Sequence, residues 1–252
     1  GRNTYMIDYN KYVYTKKELV QYGLWGGSAG FVLLMLFYNN VLLCGILSVP
    51  AALIFLGYYR RILLDRRRWQ LTIQFKDAME SLVSALSAGY SLENSVREAS
   101  GDLKLIYSPE DIIRKEFDHM RRRMELKASV ETLMKELGER SGVEDIMMFS
   151  EILGTARRTG GNLVRIMRQT SSNIAEKIEV RREIETLVAG KKMEAACMTA
   201  VPLLMILYLR IFSPGFLDPL YNNFMGGMVM TGALAVYSAA FLWGQHIMKI
   251  EL

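Results

Sequence analysis

Residue types able to do chemistry are few in this chain, and their spacing does not bring them together. Its cysteines, Cys44 and Cys197, both lie inside apolar stretches. They make neither a disulfide framework nor a zinc site, which need clustered ligands, and they read as small packing residues. His119 stands in Asp-His-Met-Arg-Arg-Arg. A phosphoacceptor histidine normally has an acidic residue directly after it, and no nucleotide-binding domain follows, so His119 reads as part of a solvated helix face. His246 reads as an interfacial residue near the end of an apolar run, and two distant histidines do not build a conventional metal centre. Glu144 with Asp145, and Glu183 with Glu185, read as solvated helical charges rather than acid/base pairs. No phosphate-binding Gly-x-x-x-x-Gly-Lys-Ser/Thr occurs, and no serine nucleophile elbow. Gly160-Gly161 precedes a helix start, where backbone amides hold anions, but Asn-Leu-Val follows without a lysine. A turn and a helix cap account for it. The expectation is a non-enzyme with no cofactor and no metal.

What remains is basic. Arg66, Arg67 and Arg68 adjoin an apolar run and suit anionic lipid headgroups. Arg121, Arg122 and Arg123, the pair Arg157 and Arg158, and the pair Arg181 and Arg182 suit an acidic protein surface. Acidic residues are interleaved with them and aromatic stacking platforms are missing, so nucleic acid is not an expected partner.

The elements that hold these residues follow from charge segregation. The 252 residues are 51% hydrophobic and 23% charged, with net charge +5, yet long stretches carry no charge. A helix needs about 20 apolar residues to cross a bilayer core. Tyr22 to Tyr38 and Val41 to Tyr59 meet that length marginally, separated by Asn39-Asn40, and Ala195 to Phe212 and Met228 to Met248 form a second pair. Lys11, Lys16 and Lys17 precede the first run, and Arg60, Arg61 and Arg66–Arg68 follow the second. Lys191 and Lys192 precede the third, and Lys249 ends the fourth. The short connections are free of Lys and Arg, so the positive-inside rule puts both termini and the central segment in the cytosol. Arg210, near the outer end of the third run, is expected to snorkel to the interface. Tyr22, Trp25, Tyr38, Tyr58, Tyr59 and Trp69 stand near the expected boundaries. Gly23/Gly27 and Gly26/Gly30 give small-xxx-small spacing, open to packing within the chain or between copies. Pro50 and Pro202 predict kinks. No cleavable signal is expected, since Gly1 to Lys17 is polar; the lack of an initiator Met leaves room for residues upstream.

The expected organisation is a cytosolic segment at 1–21, a hairpin of two spans at 22–59, and a cytosolic helical domain at 60–193. A second pair of spans at 194–248, with an outer loop at 213–227, and a cytosolic end at 249–252 complete it. In the central segment Leu71, Phe75, Ala78, Met79, Leu82, Val83 and Leu86 recur at helical spacing. Breakers divide it into six helices. The first ends at Gly89-Tyr90. Ser91 caps a second that stops near Gly101. Ser108-Pro109 starts a third. Ser129 caps a fourth that ends at Gly138. Val143 begins a fifth, and Asn162 caps a long sixth that continues into the third span. Faint repetition links Ser91-Leu92, Ser129-Val130 and Asn162-Leu163, each followed by an apolar residue at the same offset. The fold class is an all-α membrane protein, with four transmembrane helices and a cytosolic six-helix bundle between the second and third.

Ser-Ala-Leu-Ser-Ala-Gly-Tyr-Ser-Leu-Glu-Asn-Ser-Val (84–96), Arg-Arg-Thr-Gly-Gly-Asn-Leu (157–163) and Ser-Pro-Gly-Phe-Leu-Asp-Pro-Leu (213–220) occur in that order. In combination they resemble the type II secretion system F family, most closely the TadB/TadC-like platform proteins of tight-adherence (Flp) pili. The last motif leans toward TadB, with TadC left open. The resemblance covers about residues 70–220. It implies an F-type bundle between membrane helices and a multi-pass protein of the bacterial inner membrane. Its implied partners are a cytosolic secretion ATPase, pilin and a sister platform protein, within an oligomer. Arg157 and Arg158 stand where relatives of the general-secretion branch carry Gly-Glu, so no acidic or metal site transfers. Arg157, Arg158, Gly160, Gly161 and Asn162, with Arg121–Arg123, are the candidate partner-binding residues. A membrane relay protein without a sensory domain is the competing reading.

Overall fold

A computed structural model describes residues 9, 14, 16–159, 162–213, 215–221 and 223–248. In chain order the helices are α1 (Lys16–Tyr38), α2 (Val41–Ser87), α3 (Leu92–Ile106), α4 (Ile112–Glu125) and α5 (Val130–Ser141). They continue as α6 (Glu144–Thr159), α7 (Leu163–Phe212), α8 (Asp218–Tyr221) and α9 (Phe224–Met248). No strand occurs among the described residues, so the all-α class holds. The chain divides into two compact units, Gly1–Val13 with Arg61–Val180 and Tyr14–Arg60 with Arg181–Leu252.

The first unit is a helical bundle whose core is the apolar stripe expected of its first helix. Leu71, Phe75, Ala78, Met79 and Leu82 are buried together, with Val83 and Leu86 packed against them. Phe75 meets Phe149 of α6 edge-on, ring centroids 5.7 Å apart. Phe117 and Met120 of α4, Leu133 and Leu137 of α5, and Met167 and Ile174 of α7 close the same core.

Local cap chemistry sets most helix starts. Ser91 accepts from the Asn94 amide and Ser129 from the Thr132 amide, each satisfying an orphan donor of a first turn. The start of α4 differs from expectation. Ser108-Pro109 lies ahead of it, and Asp111 holds the cap position without a side-chain cap bond. The Asp111 carboxylate instead accepts from the Ser108 amide at 2.8 Å and from Gln74 Nε2 at 3.2 Å. Gln74, buried on α2, returns its Oε1 to the Ile113 amide at 3.1 Å. A residue from another helix therefore supplies the cap, which no local pattern reveals.

Two expected helix ends are wrong. α3 runs through Gly101 to Ile106, and α5 runs through Gly138 to Ser141, where Gly142 takes the left-handed conformation (φ 63°) instead. Gly138 is needed for proximity: a Cβ there would lie 2.9 Å from Met147 Cα. Asn162 caps α7, accepting from the Arg165 amide at 3.0 Å.

The second unit holds four helical segments long and apolar enough to cross a membrane. The helix that holds the apolar run after Asn39-Asn40 continues unbroken past Tyr59 to Ser87. Pro50 and Pro202 both lie inside continuous helices, and α9 starts at Phe224, four residues ahead of the expected Met228. Exposed apolar side chains such as Leu42, Ile54, Leu204 and Val236 cover its outer faces, the surface that lipid requires. The glycine spacing of α1 serves packing within the chain: Gly23, Gly26, Gly27 and Gly30 face Leu56, Phe55, Ala52 and Ala51 of α2. Cys44 is buried as expected, whereas Cys197 is exposed.

Arg210 does more than snorkel. Its Nη1 donates to the Met35 carbonyl at 2.8 Å and its Nη2 to Asn39 Oδ1. Tyr221 Oη donates to the Leu36 carbonyl at 2.7 Å. Both carbonyls belong to the last turn of α1; that of Met35 also accepts from the Asn39 amide at 3.3 Å.

Candidate functional site

The last turn of α6 carries the candidate pair Arg157 and Arg158, and the two have different surroundings. Arg157 Nη2 meets Glu93 Oε1 at 2.8 Å, and its Nη1 meets Glu131 Oε1 at 2.5 Å. Glu93 sits in the first turn of α3 and Glu131 in that of α5. One guanidinium thus ties the end of α6 to the starts of two other helices, where carboxylates also favour the helix dipole. The bond to Glu131 leads in holding the Arg157 pKa above its ordinary value. The Glu93 carboxyl is held below the usual range, first by its own backbone amide and then by Arg157.

Arg158 is exposed. Its Nε donates to the Gly154 carbonyl at 3.2 Å, and it forms no ion pair among the described residues. Gly160 and Gly161 lie outside the described residues. Beyond the Asn162 cap, Arg165 and Arg168 follow at i, i+3 spacing on the exposed face of α7. With Asn162, Val164, Gln169 and Ser172 they line an open groove of about 410 Å³. Sequence reasoning missed Arg165 and Arg168. Their spacing directly after a cap residue was the available signal.

The other basic groups stand on different helices. Arg121 pairs with Glu125 at 3.3 Å within α4, and Arg123 pairs with Glu136 of α5. Arg122 is the exposed member of that triplet. On α2, Arg66 is exposed and Arg67 and Arg68 are half-buried. The structure therefore leaves Arg158 at the end of α6, and Arg165 and Arg168 at the start of α7, exposed, while Arg157 and Arg123 tie helices together and Arg121 pairs within α4. His119 is not on a solvated face: it is half-buried, and its Nε2 is enclosed without a hydrogen bond among the described residues. The side chain of His246 lies outside the described residues. Among the described residues no group of three His, Cys, Asp or Glu side chains is placed to hold a metal.

Residues 78–209, more than half of the chain, match the family model for Type II secretion system (T2SS), protein F. The chain belongs to that family. No curated protein and no solved structure matches it. Proteins of the T2SS F family are multi-pass inner-membrane platform proteins of secretion or pilus machinery, not enzymes. They generally interact with the secretion ATPase and with other platform proteins. In this F-family chain the matched stretch begins within α2, takes in α3 to α6 and ends within α7. It therefore includes the α6–α7 turn and its groove.

Proposed function

We propose that this chain is the platform of a Tad/Flp-type pilus or related type II secretion machine, coupling a cytosolic secretion ATPase to the assembly and extrusion of pilin. The observation that carries the reading is the continuity of α7. It starts at the basic turn capped by Asn162 and runs 50 residues without a break to Phe212. At 1.5 Å rise per residue its length along the helix path is roughly 75 Å. A push on its basic end is passed along the helix by the hydrogen bonds that join successive turns, with one bond missing at Pro202. ATP chemistry belongs to the partner in this reading.

Charge distribution supports a cytosolic bundle and cytosolic termini. Arg158, Arg165 and Arg168 are the cations that offer a basic docking surface to an acidic patch on the ATPase, with Arg157 and Asn162 beside them and Gly160-Gly161 between. Of Arg121–Arg123, Arg122 is the exposed cation open to a partner, and Arg66–Arg68 meet anionic headgroups. A sister platform protein, of TadC or TadB type, completes the oligomer.

Affinity purification of the full-length protein from its native membranes in mild detergent, read by mass spectrometry, tests this. A secretion ATPase, a sister platform protein and pilin should co-purify. Arg158→Glu with Arg165→Glu should deplete the ATPase and retain the sister protein. Recovery of a kinase or response regulator with no pilus component would overturn the reading.

A further inference from the structure

Tyr9 precedes the first spanning helix by seven positions, and it is buried, with 2% of its surface exposed. Its hydroxyl donates to Glu116 Oε1 at 2.7 Å, and its backbone amide donates to the Arg140 carbonyl at 3.0 Å. The Arg67 guanidinium stands 4.8 Å from the ring centroid, within cation–π range. Glu116, itself 5% exposed, also takes Arg140 Nη1 at 3.0 Å and Nη2 at 2.6 Å. Three helices each contribute one part: α2 the cation, α4 the carboxylate, α5 the carbonyl.

The parts are complementary to a tyrosine within a peptide. A buried carboxylate has more acceptor positions than one guanidinium fills, and a phenol supplies the further donor. The Arg140 carbonyl lies in the last turn of α5, where it has no intrahelical partner, and a peptide amide satisfies it. Burial, and after it the charge of Glu116, push the Tyr9 phenol pKa up, so the hydroxyl keeps its proton and remains a donor. Phenylalanine would fill the same volume but leave the carboxylate one donor short. With the ring absent, water reaches the Glu116–Arg140 pair and weakens it by screening.

We propose that Arg67, Glu116 and Arg140 form a tyrosine-recognition socket on the bundle, filled in cis by Tyr9. The contact is a releasable latch: while it is closed, Tyr9 bonds α4 and α5 at once. A tyrosine-bearing extended peptide is the ligand class that competes for it.

The test uses the full-length protein in detergent or nanodiscs and reads amide hydrogen exchange. Tyr9→Ala should speed exchange about tenfold at the ends of α4 and α5 while α3 and α6 keep theirs, as loss of a hydrogen bond to a charged group implies. Tyr9→Phe, which keeps the ring over Arg67, should lie between. A synthetic peptide of residues 1–13 added to the Tyr9→Ala protein should restore protection saturably. The same peptide carrying Tyr9→Phe should need at least about tenfold more. Unchanged exchange in both variants, failure of the peptide to restore protection, or equal potency of the two peptides would overturn the socket. Should Tyr9→Ala lose protection throughout the bundle, the Tyr9→Phe protein and its peptide competition decide instead.

Discussion

Gly138 on α5 lies against the backbone of Met147 on α6, so that a Cβ at 138 would stand 2.9 Å from Met147 Cα and 3.3 Å from its amide nitrogen. Gly101, within α3, has nothing within 4 Å of the same position. Alanine improves helix propensity by about 1 kcal/mol at either site. At Gly138 main chain stands in the way, and overpacking costs about 1–3 kcal/mol. Gly101→Ala should therefore stabilise the full-length protein by about 0.5–1 kcal/mol. Gly138→Ala should destabilise it. Denaturant unfolding followed by circular dichroism distinguishes the two, and shifts of the same sign would refute the packing assigned to Gly138.

The Glu116–Arg140 pair should behave as a unit. Glu116 is buried and Arg140 half-buried, so removing one partner strands the other. Glu116→Leu or Arg140→Leu alone should cost about 2–3 kcal/mol, below the 3–5 typical of fully buried pairs because Arg140 retains water contact. The double variant should lose clearly less than the sum. Additive losses in a double-mutant cycle would mean that the two side chains do not depend on each other.

Much of the architecture was legible because its constraints are one-dimensional. Uncharged length fixes spans, and the caps at Ser91, Ser129 and Asn162 need only a side chain and the amide three residues on. Gly101 and Gly138 were misread as helix ends because a glycine that ends a helix and one that admits a neighbouring helix look alike in one chain. The start of α4 failed for a related reason, since Gln74 caps it from another helix.

Less of the candidate site was legible. Arg157 looked like a free cation, yet it pairs with Glu93 and Glu131, residues far from it in the chain. Arg165 and Arg168 were passed over because each stands singly, while clustered arginines drew notice. The setting of Tyr9 depends on three helices at once, and a one-dimensional pattern contains nothing of it.

His119 makes the bundle sensitive to mild acid. Burial first, then Arg123, Arg140 and Arg122, hold its pKa below the ordinary value, against the opposing charge of Glu116. Above about pH 6.5 the imidazole is neutral in folded and unfolded chains alike. As pH falls through that value the unfolded chain takes up the proton and the folded chain does not, so stability drops. Unfolding midpoints of the full-length protein between pH 8 and 5.5 should fall more steeply for wild type than for His119→Gln. Parallel curves would remove His119 as the cause.

The last turn of α1 should depend on side chains from late in the chain. Its Met35 and Leu36 carbonyls accept from Arg210 and Tyr221. Asn39, in the left-handed conformation (φ 48°) just past the helix end, also accepts from Arg210. The Met35 carbonyl also accepts from the Asn39 amide at 3.3 Å, so removing Arg210 takes away one of its two donors and the guanidinium bond to Asn39 Oδ1. Lost hydrogen bonds in an apolar surrounding are costly. Arg210→Leu should thus lower stability in detergent or nanodiscs by about 1–3 kcal/mol, and Tyr221→Phe by about 1 kcal/mol. Arg210→Lys should recover only part, because one ammonium does not reproduce the fork that reaches Met35 and Asn39 together. Full recovery by lysine would show that the charge at the interface matters and the two bonds do not. If Arg210→Leu left the unfolding midpoint unchanged, water would already be satisfying the end of α1.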